Sequence, residues 1–299
     1  MTHRPLCAAW ALALLTTCTG SSEPTADRPA LRATTTTSAA FASDAGFIAF
    51  GDFGGGPAQG AVADAMTAWA DDHRVDALVT TGDNVYDVGD PSLFDDHLDR
   101  PYADLRTTRP LWVSLGNHDV QSGHGDEQLA YLDLPPLPYV KQLEGVDLFF
   151  LDANRPDAEQ AAWLRERLAE SEAAFEVALF HQPAYSCATH GSTPAVVELW
   201  VPVFEEAGVD LVLNGHDHLY EHFESPSGVH YVVTGGGGRN LYPFREPCPH
   251  QSMLRDYAEE HHFTAVEITG DAMTVTAVSA EGAVLERFSA RPRDGGRPG

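Results

Sequence analysis

The sequence predicts an α/β fold whose C-terminal part is rich in β-strand. Short apolar runs such as residues 47–50, 77–80 and 111–115 have the length of buried strands. Between the first two runs, apolar residues recur at helical spacing over positions 62–69. After position 220 the pattern changes to strand-like runs separated by turn-forming residues. These three observations indicate strands that alternate with helices first and then follow one another directly.

In the N-terminal half, residues 47–50 read as a buried strand that leads into the glycine-rich loop 51–56, before the helix. Later apolar runs continue the alternation. They predict strands at 77–80, 111–115, 149–152, 177–180 and 209–213, and helices at 158–168 and 196–206. In an α/β sheet, the loops after parallel strands meet at one edge. We therefore expect polar residues that follow these strands to lie close together.

The C-terminal half predicts a run of antiparallel strands. Strand-like segments occupy residues 229–234, 263–268, 273–278 and 283–288, and turns are expected at 225–228, 270–271 and 281–282. Such short strands joined by tight turns are typical of an antiparallel meander.

The composition favours a folded, acidic protein. Of the 299 residues, 43% are hydrophobic, which is enough for a sizeable core. Lys and Arg number 18 against 44 Asp and Glu, a net charge of −26, and Lys141 is the only lysine. Such a surface repels nucleic acid and anionic lipid headgroups, so we expect neither as a partner. Solubility or adaptation to salt is the simplest reason for the charge.

The first residues predict export. Arg4 precedes an apolar stretch at residues 6–15 that is too short to span a bilayer, so residues 1–17 read as a signal peptide. Leu15-Thr16-Thr17-Cys18 resembles a bacterial lipobox that would place a lipid on Cys18, with ordinary signal-peptide cleavage as the alternative. We expect an extracellular or cell-envelope protein whose membrane association is peripheral.

Two terminal segments lack the pattern of a folded domain. Residues 18–44 are rich in Ser, Thr, Ala and Pro and predict a disordered tether. Residues 291–299 are rich in Pro, Gly and Arg and predict a flexible tail. The folded domain is therefore expected over residues 45–290.

Five short segments each follow an apolar run and carry side chains suited to hard metal ions. Carboxylate, amide oxygen, phenolate and imidazole together fit two adjacent metals such as iron, manganese or zinc. Each residue alone has a simpler role, since an Asp caps helices and a Tyr is often core. The segments are Gly51-Asp52-Phe53-Gly54, Gly82-Asp83-Asn84-Val85-Tyr86, Gly116-Asn117-His118-Asp119, Phe180-His181 and Gly215-His216-Asp217-His218.

The order of these segments resembles the metallophosphoesterase superfamily and, within it, the purple acid phosphatases. Most of the superfamily has His two residues after the first Asp, whereas Asp52 here is followed by Phe53 and Gly54. The purple acid phosphatase pattern also omits that His and adds a Tyr three residues after the second Asp, as Tyr86 follows Asp83. The resemblance covers residues 46–290. It implies a four-layer α/β/β/α sandwich with two mixed sheets.

The same resemblance implies two metal sites that share Asp83, whose two oxygens would reach different metals. A phenolate favours Fe(III), and the resemblance implies a divalent Fe, Zn or Mn beside it. The ligands of the first site would be Asp52, Tyr86 and His218, and those of the second Asn117, His181 and His216.

The function implied is hydrolysis of small phosphomonoesters by a metal-bound hydroxide. By resemblance, His118 and His190 hold the substrate phosphate and protonate the leaving alkoxide. The alternative for His190 is an ordinary loop residue. A phosphodiesterase or nucleotidase is the nearest alternative function, although the missing His after Asp52 speaks against it. A non-catalytic metal-binding lipoprotein is an alternative of another class.

The sequence also predicts a disulfide between Cys187 and Cys248. They are the two cysteines that remain once Cys7 leaves with the signal peptide and Cys18 is set aside for lipid. An exported chain permits oxidation, and two unpaired thiols are the alternative. The glycine run 235–238 resembles a family turn near the metals, with a flexible loop as the other interpretation.

Overall fold

The computed structural model describes residues 44–290. The predicted signal peptide (residues 1–17), the lipid on Cys18, the tether apart from Asp44, and the tail (residues 291–299) lie outside the described residues.

Thirteen strands form two mixed sheets in the described part of the chain. The six-stranded sheet has the order β13-β12-β11-β1-β2-β3 and the seven-stranded sheet the order β10-β8-β9-β7-β6-β5-β4. The strands are β1 Ala45–Phe50, β2 Ala77–Thr80, β3 Leu111–Val113, β4 Tyr139–Leu143, β5 Val146–Phe150, β6 Phe175–Leu179, β7 Leu211–Asn214, β8 Tyr220–Glu224, β9 His230–Thr234, β10 Leu254–Ala258, β11 His262–Thr269, β12 Ala272–Ser279 and β13 Val284–Ala290.

Helices connect the parallel strands of each sheet except β7 and β9, which are joined through β8. The longest two begin differently, since the side chain of Asp157 caps α5 whereas α1 has no side-chain cap. The helices are α1 Gln59–Asp72, α2 Ala103–Arg106, α3 Asn117–Val120, α4 Gly125–Tyr131, α5 Ala158–Glu170, α6 Pro194–Leu199 and α7 Val201–Ala207, with short 3-10 or π turns at Pro91–Leu93, Asp95–Asp99 and Arg100–Tyr102.

Two apolar layers lie on opposite faces of the seven-stranded sheet. Val177 and Leu179 of β6 belong to the cluster that also holds residues of the six-stranded sheet and α1. The alternate residues Ala178 and Phe180 pack with residues of α5 and α7. A strand buried on both faces is mostly apolar, and β6 is apolar at four of its five positions, with Glu176 as the exception. The predicted four-layer α/β/β/α sandwich with two mixed sheets is confirmed.

The structure corrects two predictions about connectivity. Strand β9 does not join the C-terminal meander, because it pairs parallel to β7 and antiparallel to β8 in the other sheet. The meander is β11–β12–β13 alone. The single helix expected over 196–206 is two helices, α6 and α7. Pro202 in the first turn of α7 cannot donate to the preceding turn, so the helix breaks there.

Within residues 44–290, no helix combines the length and apolar character needed to cross a membrane.

Candidate metal centre

The loops with the predicted ligands meet at one edge shared by the two sheets. Strands β1, β2 and β3 run parallel in one sheet, and β6, β7 and β9 run parallel in the other. The loops at their carboxyl ends hold all seven predicted metal-ligand positions. This is the edge at which α/β sheets bind ligands. Hydrogen bonds join the loops, as from Asp52 N to Gly82 O (3.0 Å) and Gly215 N to His181 O (3.0 Å).

Asp119 fixes the second and third ligand loops against each other. Its buried carboxylate accepts the backbone N–H of Asn84, Val85 and Gly116 at 2.8–2.9 Å. The side-chain amide of Gln128 also donates to it, at 3.0 Å. Burial is the main reason that the pKa of Asp119 rises to about 6. Asp119 lies inside a recognised motif, but its spacing gave no sign of this role, because hydrogen bonds to backbone leave no sequence pattern.

The hydroxyl of Tyr86 and three side-chain atoms around it form a first donor group. That hydroxyl lies 2.9 Å from Asp83 Oδ2, 3.3 Å from Asp52 Oδ1 and 3.2 Å from His218 Nε2. The His218 nitrogen is 3.4 Å from Asp52 Oδ1. The structure thus brings together the four residues expected to hold the first metal.

A second donor group surrounds His181 Nε2. This nitrogen lies 3.2 Å from Asn117 Oδ1, 3.2 Å from His216 Nδ1 and 3.2 Å from Asp83 Oδ2. Donor atoms of Asp83, His181 and His216 all lie within 4.8 Å of one another, a spacing that suits one metal ion. The second predicted ligand set is therefore also brought together.

Asp83 joins the two donor groups through one oxygen. Its Oδ2 faces both Tyr86 and His181, whereas Oδ1 accepts the backbone N–H of His118 at 2.8 Å. Oδ2 is therefore the oxygen that the two donor groups share, while Oδ1 is held by a backbone N–H. A Cβ on Gly116 would lie 2.1 Å from Oδ1, so only glycine leaves room for the carboxylate.

The donor atoms fit metal ions because they are acceptors that face one another. His181 Nδ1 lies 2.9 Å from the carbonyl of Thr81, and His218 Nδ1 lies 2.7 Å from the carbonyl of Asn240. Each Nδ1 therefore donates its hydrogen outward, which leaves the Nε2 lone pair directed at carboxylates. Buried acceptors converge at low cost only around a cation or a proton.

The titration of the site supports the same fit. Burial lowers the pKa of His181, but Asp83 and Asp52 outweigh it and raise the pKa to about 9 when protons are the only cations. Burial, followed by repulsion from His181, lowers the pKa of His216 to about 2, so this imidazole is a neutral donor. Burial and the carboxylates of Asp52 and Asp83 raise the pKa of Tyr86 far above its usual range. A phenolate here thus requires bound cations.

His118 and His190 border the open side of the centre without joining either donor group. His118 Nδ1 lies 2.6 Å from the carbonyl of Asp87, and its Nε2 lies 4.0 Å from Asp83 Oδ2. The exposed ring of His190 lies over the ring of His216, with 4.2 Å between centroids. Both imidazoles are therefore accessible from solvent beside the donor atoms.

Asp217 holds the loop that carries His190. One carboxylate oxygen accepts the backbone N–H of His190 at 2.8 Å. The other accepts Gly191 N–H at 3.0 Å and the hydroxyl of Ser186 at 2.7 Å. Asp217 lies between two predicted ligands, yet the sequence analysis gave it no role. Its adjacency to His216 was the one available signal.

A disulfide joins the same loop to the segment after the glycine run. Cys187 and Cys248 are bonded, with their Cα atoms 5.1 Å apart, so the predicted pairing is confirmed. The glycine run packs at the metal edge, where a Cβ on Gly235 would lie 2.9 Å from Asp52 Oδ2. Arg239 and Tyr242, which follow that run, also contact the centre and were missed, because single Arg and Tyr residues have no distinguishing spacing.

Comparison with known proteins agrees with this geometry. The calcineurin-like phosphoesterase profile matches residues 45–220. Human tartrate-resistant acid phosphatase type 5 is 28% identical over 293 residues, covering 80% of this chain and 88% of that protein. Purple acid phosphatase 4 of Arabidopsis thaliana is 26% identical over 283 residues, covering 81% of this chain and 82% of that protein.

Two solved structures share the fold. The purple acid phosphatase PPD1 from yellow lupin seeds superposes with a TM-score of 0.74 at 17% identity, covering 82% of this chain and 53% of that one. GAP50, described as the anchor in the inner membrane complex of Plasmodium, gives a TM-score of 0.71 at 19% identity, covering 84% and 90%.

The chain belongs to the calcineurin-like phosphoesterase family. The predicted resemblance to purple acid phosphatases and the predicted class, a metal-dependent phosphatase, are confirmed by these relatives.

Proposed function

We propose that the protein hydrolyses small phosphomonoesters at a two-metal centre of the purple acid phosphatase type. The observation that carries the proposal is the pair of donor groups that share Asp83 Oδ2, with two imidazoles outside them at the open side. Asp52, Tyr86, Asp83 and His218 would hold the first metal, and Asn117, His181, His216 and Asp83 the second.

The first metal is proposed to be Fe(III) and the second a divalent Fe, Zn or Mn. A phenol oxygen beside two carboxylates makes a hard, anionic donor set, which suits a trivalent ion. The second group has two imidazoles and an amide oxygen with one carboxylate, a less anionic set. Bound cations would make water nucleophilic near neutral pH and neutralise the phosphate oxygens.

His118 and His190 supply the proton that the leaving alkoxide needs. Both imidazoles are accessible, and no ring nitrogen of either residue belongs to a donor group. The Nδ1 of His118 faces the Asp87 carbonyl, so Nε2 is the nitrogen on the substrate side. A positioned imidazolium contributes about 10²–10⁴-fold in rate to such a step. In cationic form the two residues also attract the phosphate locally, against the acidic surface.

Activity on matched substrates tests the proposal. Metal-loaded protein should hydrolyse p-nitrophenyl phosphate and act poorly on bis(p-nitrophenyl) phosphate. Asp83→Asn should abolish the activity because it weakens both donor groups, whereas Asp147→Asn, a buried carboxylate of β5, serves as the control. Preference for the diester would favour the phosphodiesterase alternative. A metal-loaded protein that hydrolyses neither ester would indicate a non-catalytic protein.

A further inference from the structure

Backbone hydrogen bonds hold the segment after the glycine run 235–238 against three loops at the sheet edge that carries the two donor groups, which we call the metal edge. We call residues 239–245 the rim segment. The backbone N–H of Arg239 donates to Asp52 O (2.9 Å), and that of Tyr242 donates to His218 O (2.9 Å). Arg245 N–H donates to the carbonyl of Cys187 at 2.8 Å, in the loop that carries His190. The rim segment is therefore a fixed border of the site.

Arg239 places a guanidinium beside the first donor group. Its central carbon lies 4.2 Å from the centre of the Tyr86 ring. The side chain is 31% exposed and donates to Asp87 Oδ1 at 3.0 Å. That bond uses one of five N–H donors, and no second side-chain hydrogen bond to residues 44–290 accompanies it. The guanidinium thus keeps free donors next to the metal edge.

The other end of the rim segment carries a second cation. Arg245 is exposed, and its guanidinium lies 3.5 Å from the hydroxyl of Thr189, the residue before His190. Between the two arginines, Tyr242 stacks on His218 with centroids 4.0 Å apart and meets the His190 ring edge-on at 5.4 Å. An aromatic wall flanked by two guanidinium groups therefore lines this side of the open centre.

These contacts matter because the chain as a whole repels anions. The chain has a net charge of −26, so most of its surface repels a negatively charged leaving group. A guanidinium binds carboxylate or phosphate with two parallel hydrogen bonds, which a single lysine charge does not do. Neither arginine belongs to the proposed metal ligands or proton donors, so both are available for a part of the substrate other than the scissile phosphate.

We infer that the rim segment recognises a second anionic group on the substrate through Arg239, assisted by Arg245. The substrate class is then a phosphomonoester whose leaving group carries a carboxylate or a further phosphate. This inference rests on the proposed function and narrows it.

The test compares phenyl phosphate, which has no second anionic group, with 3- and 4-carboxyphenyl phosphate, which carry a carboxylate at different positions of the ring. At least one carboxylated ester should show a higher kcat/KM than phenyl phosphate. Arg239→Gln should reduce that preference about tenfold, mainly through KM, and Arg239→Lys should reduce it less. Asp87→Asn should increase it, because Asp87 competes for the guanidinium.

Two controls separate recognition from a general charge effect. Arg165→Gln, on α5 and 3.9 Å from Glu206, removes the same charge and should leave the preference unchanged. Arg155 is 87% exposed beside the Asn117 loop, and its Gln variant tests the rival position. A preference lost in Arg155→Gln but kept in Arg239→Gln would overturn the inference. An equal loss on all three esters in Arg239→Gln would also overturn it, since Arg239 would then act on the scissile phosphate or on Tyr86.

Binding gives a readout that does not depend on turnover. By calorimetry, metal-loaded protein should bind 4-carboxyphenylphosphonate or its 3-isomer more tightly than phenylphosphonate, and Arg239→Gln should remove the difference. Equal affinity for the three phosphonates in the wild-type protein would refute the inference. If no ester is hydrolysed while this difference persists, the proposed function fails and the anion site stands.

Discussion

Three proposed ligand residues adopt backbone conformations that residues other than glycine rarely occupy. The φ angles are 60° for Asp52, 52° for Asp83 and 72° for His216. Each such residue costs of the order of 1–3 kcal/mol unless surrounding contacts enforce it. Here hydrogen bonds from backbone N–H groups to neighbouring loops enforce it, including His216 N–H to Asp52 Oδ2 at 2.9 Å. Strain concentrated at these residues is typical of a functional site.

At the scale of one residue, His190→Asn should lower kcat by about 10²-fold on an alkyl phosphate. The reason is that an alkoxide leaves as a strong base and needs a proton, and His190 is one of the two proposed proton donors. The loss should be much smaller on p-nitrophenyl phosphate, whose leaving group is stable as an anion.

Metal content by elemental analysis should be unchanged in His190→Asn, since the ring contacts the rings of His216 and Tyr242 but belongs to neither donor group. His124→Asn, which changes a half-exposed histidine paired with Glu127, is the matched control and should leave both activities unchanged. Equal losses on the two substrates would show that His190 is not the acid.

Glu221 should make stability depend on pH. Burial is the main cause that raises its pKa from an ordinary 4.5 to about 8, and the residue is fully buried with Oε1 accepting Cys187 N–H at 2.8 Å. Because the folded pKa is the higher one, its contribution is complete below about pH 4.5 and is lost as the pH rises through about 8. Wild-type stability should therefore fall over this window more steeply than that of Glu221→Gln.

The difference in unfolding free energy between wild type and Glu221→Gln, measured by urea denaturation at pH 5 to pH 8, isolates this group. Its slope should approach at most about 1.4 kcal/mol per pH unit. Parallel pH profiles for the two proteins would show that Glu221 titrates normally.

The sequence singles out the proposed ligands of the candidate site more readily than the residues that support them. Asp52, Asp83 and His181 each follow an apolar strand, a pattern visible in one dimension. Asp119 and Asp217 act by accepting backbone N–H groups from other loops, which depends on the folded geometry. No periodicity reports such contacts.

At the scale of the element, the loop that carries His190 is tied down from several sides. The disulfide Cys187–Cys248 fixes one point, and Ser192 pairs with His250 at 2.7 Å near the other end. Asp217 holds the middle through its bonds to Ser186 and the backbone. The loop thus depends on contacts from distant parts of the chain.

Replacing both Cys187 and Cys248 with Ser should lower the free energy of unfolding by about 2–4 kcal/mol, because the disulfide restrains the unfolded chain. Urea denaturation of the wild type with reductant should show the same loss. The double variant should not respond to reductant. Thiol labelling should first show that the reductant has freed both cysteines. If the stability of this reduced wild type then equals that of the oxidised protein, the prediction is contradicted.

Three strands that the sequence analysis missed, β4, β8 and β10, lack the continuous apolar run that predicts a buried strand. Strands β4 and β10 are the two edges of the seven-stranded sheet and are half-exposed, so they lack an apolar run. Strand β8 is buried but contains Glu221 and His222, whose polar side chains form tertiary hydrogen bonds. Hydrophobicity alone detects neither case, whereas β6 and β7, apolar apart from Glu176 and Asn214, were placed to within two residues.

At the scale of the whole molecule, the excess of acidic residues affects the stability of the fold. The net charge of −26 should destabilise the compact state through self-repulsion. Raising NaCl from about 10 mM to about 500 mM shortens the Debye length several-fold, so the urea midpoint should rise.

The double variant Asp71→Asn, Asp72→Asn should show a higher midpoint at low salt and a smaller salt response. Both residues lie exposed at the C-terminal end of α1, where negative charge opposes the helix dipole. A midpoint that falls with salt would mean that favourable ion pairs outweigh the repulsion.

The central claim is a two-metal centre with a tyrosinate ligand, and elemental analysis with a visible spectrum of aerobically purified protein tests it most directly. We predict two metals per chain, one of them iron, and a purple or pink absorption band that Tyr86→Phe removes. The hydroxyl of Tyr86, 2.9 Å from Asp83 Oδ2, is the group responsible. A colourless protein that holds fewer than two metals per chain and still hydrolyses phosphomonoesters at full rate would contradict it.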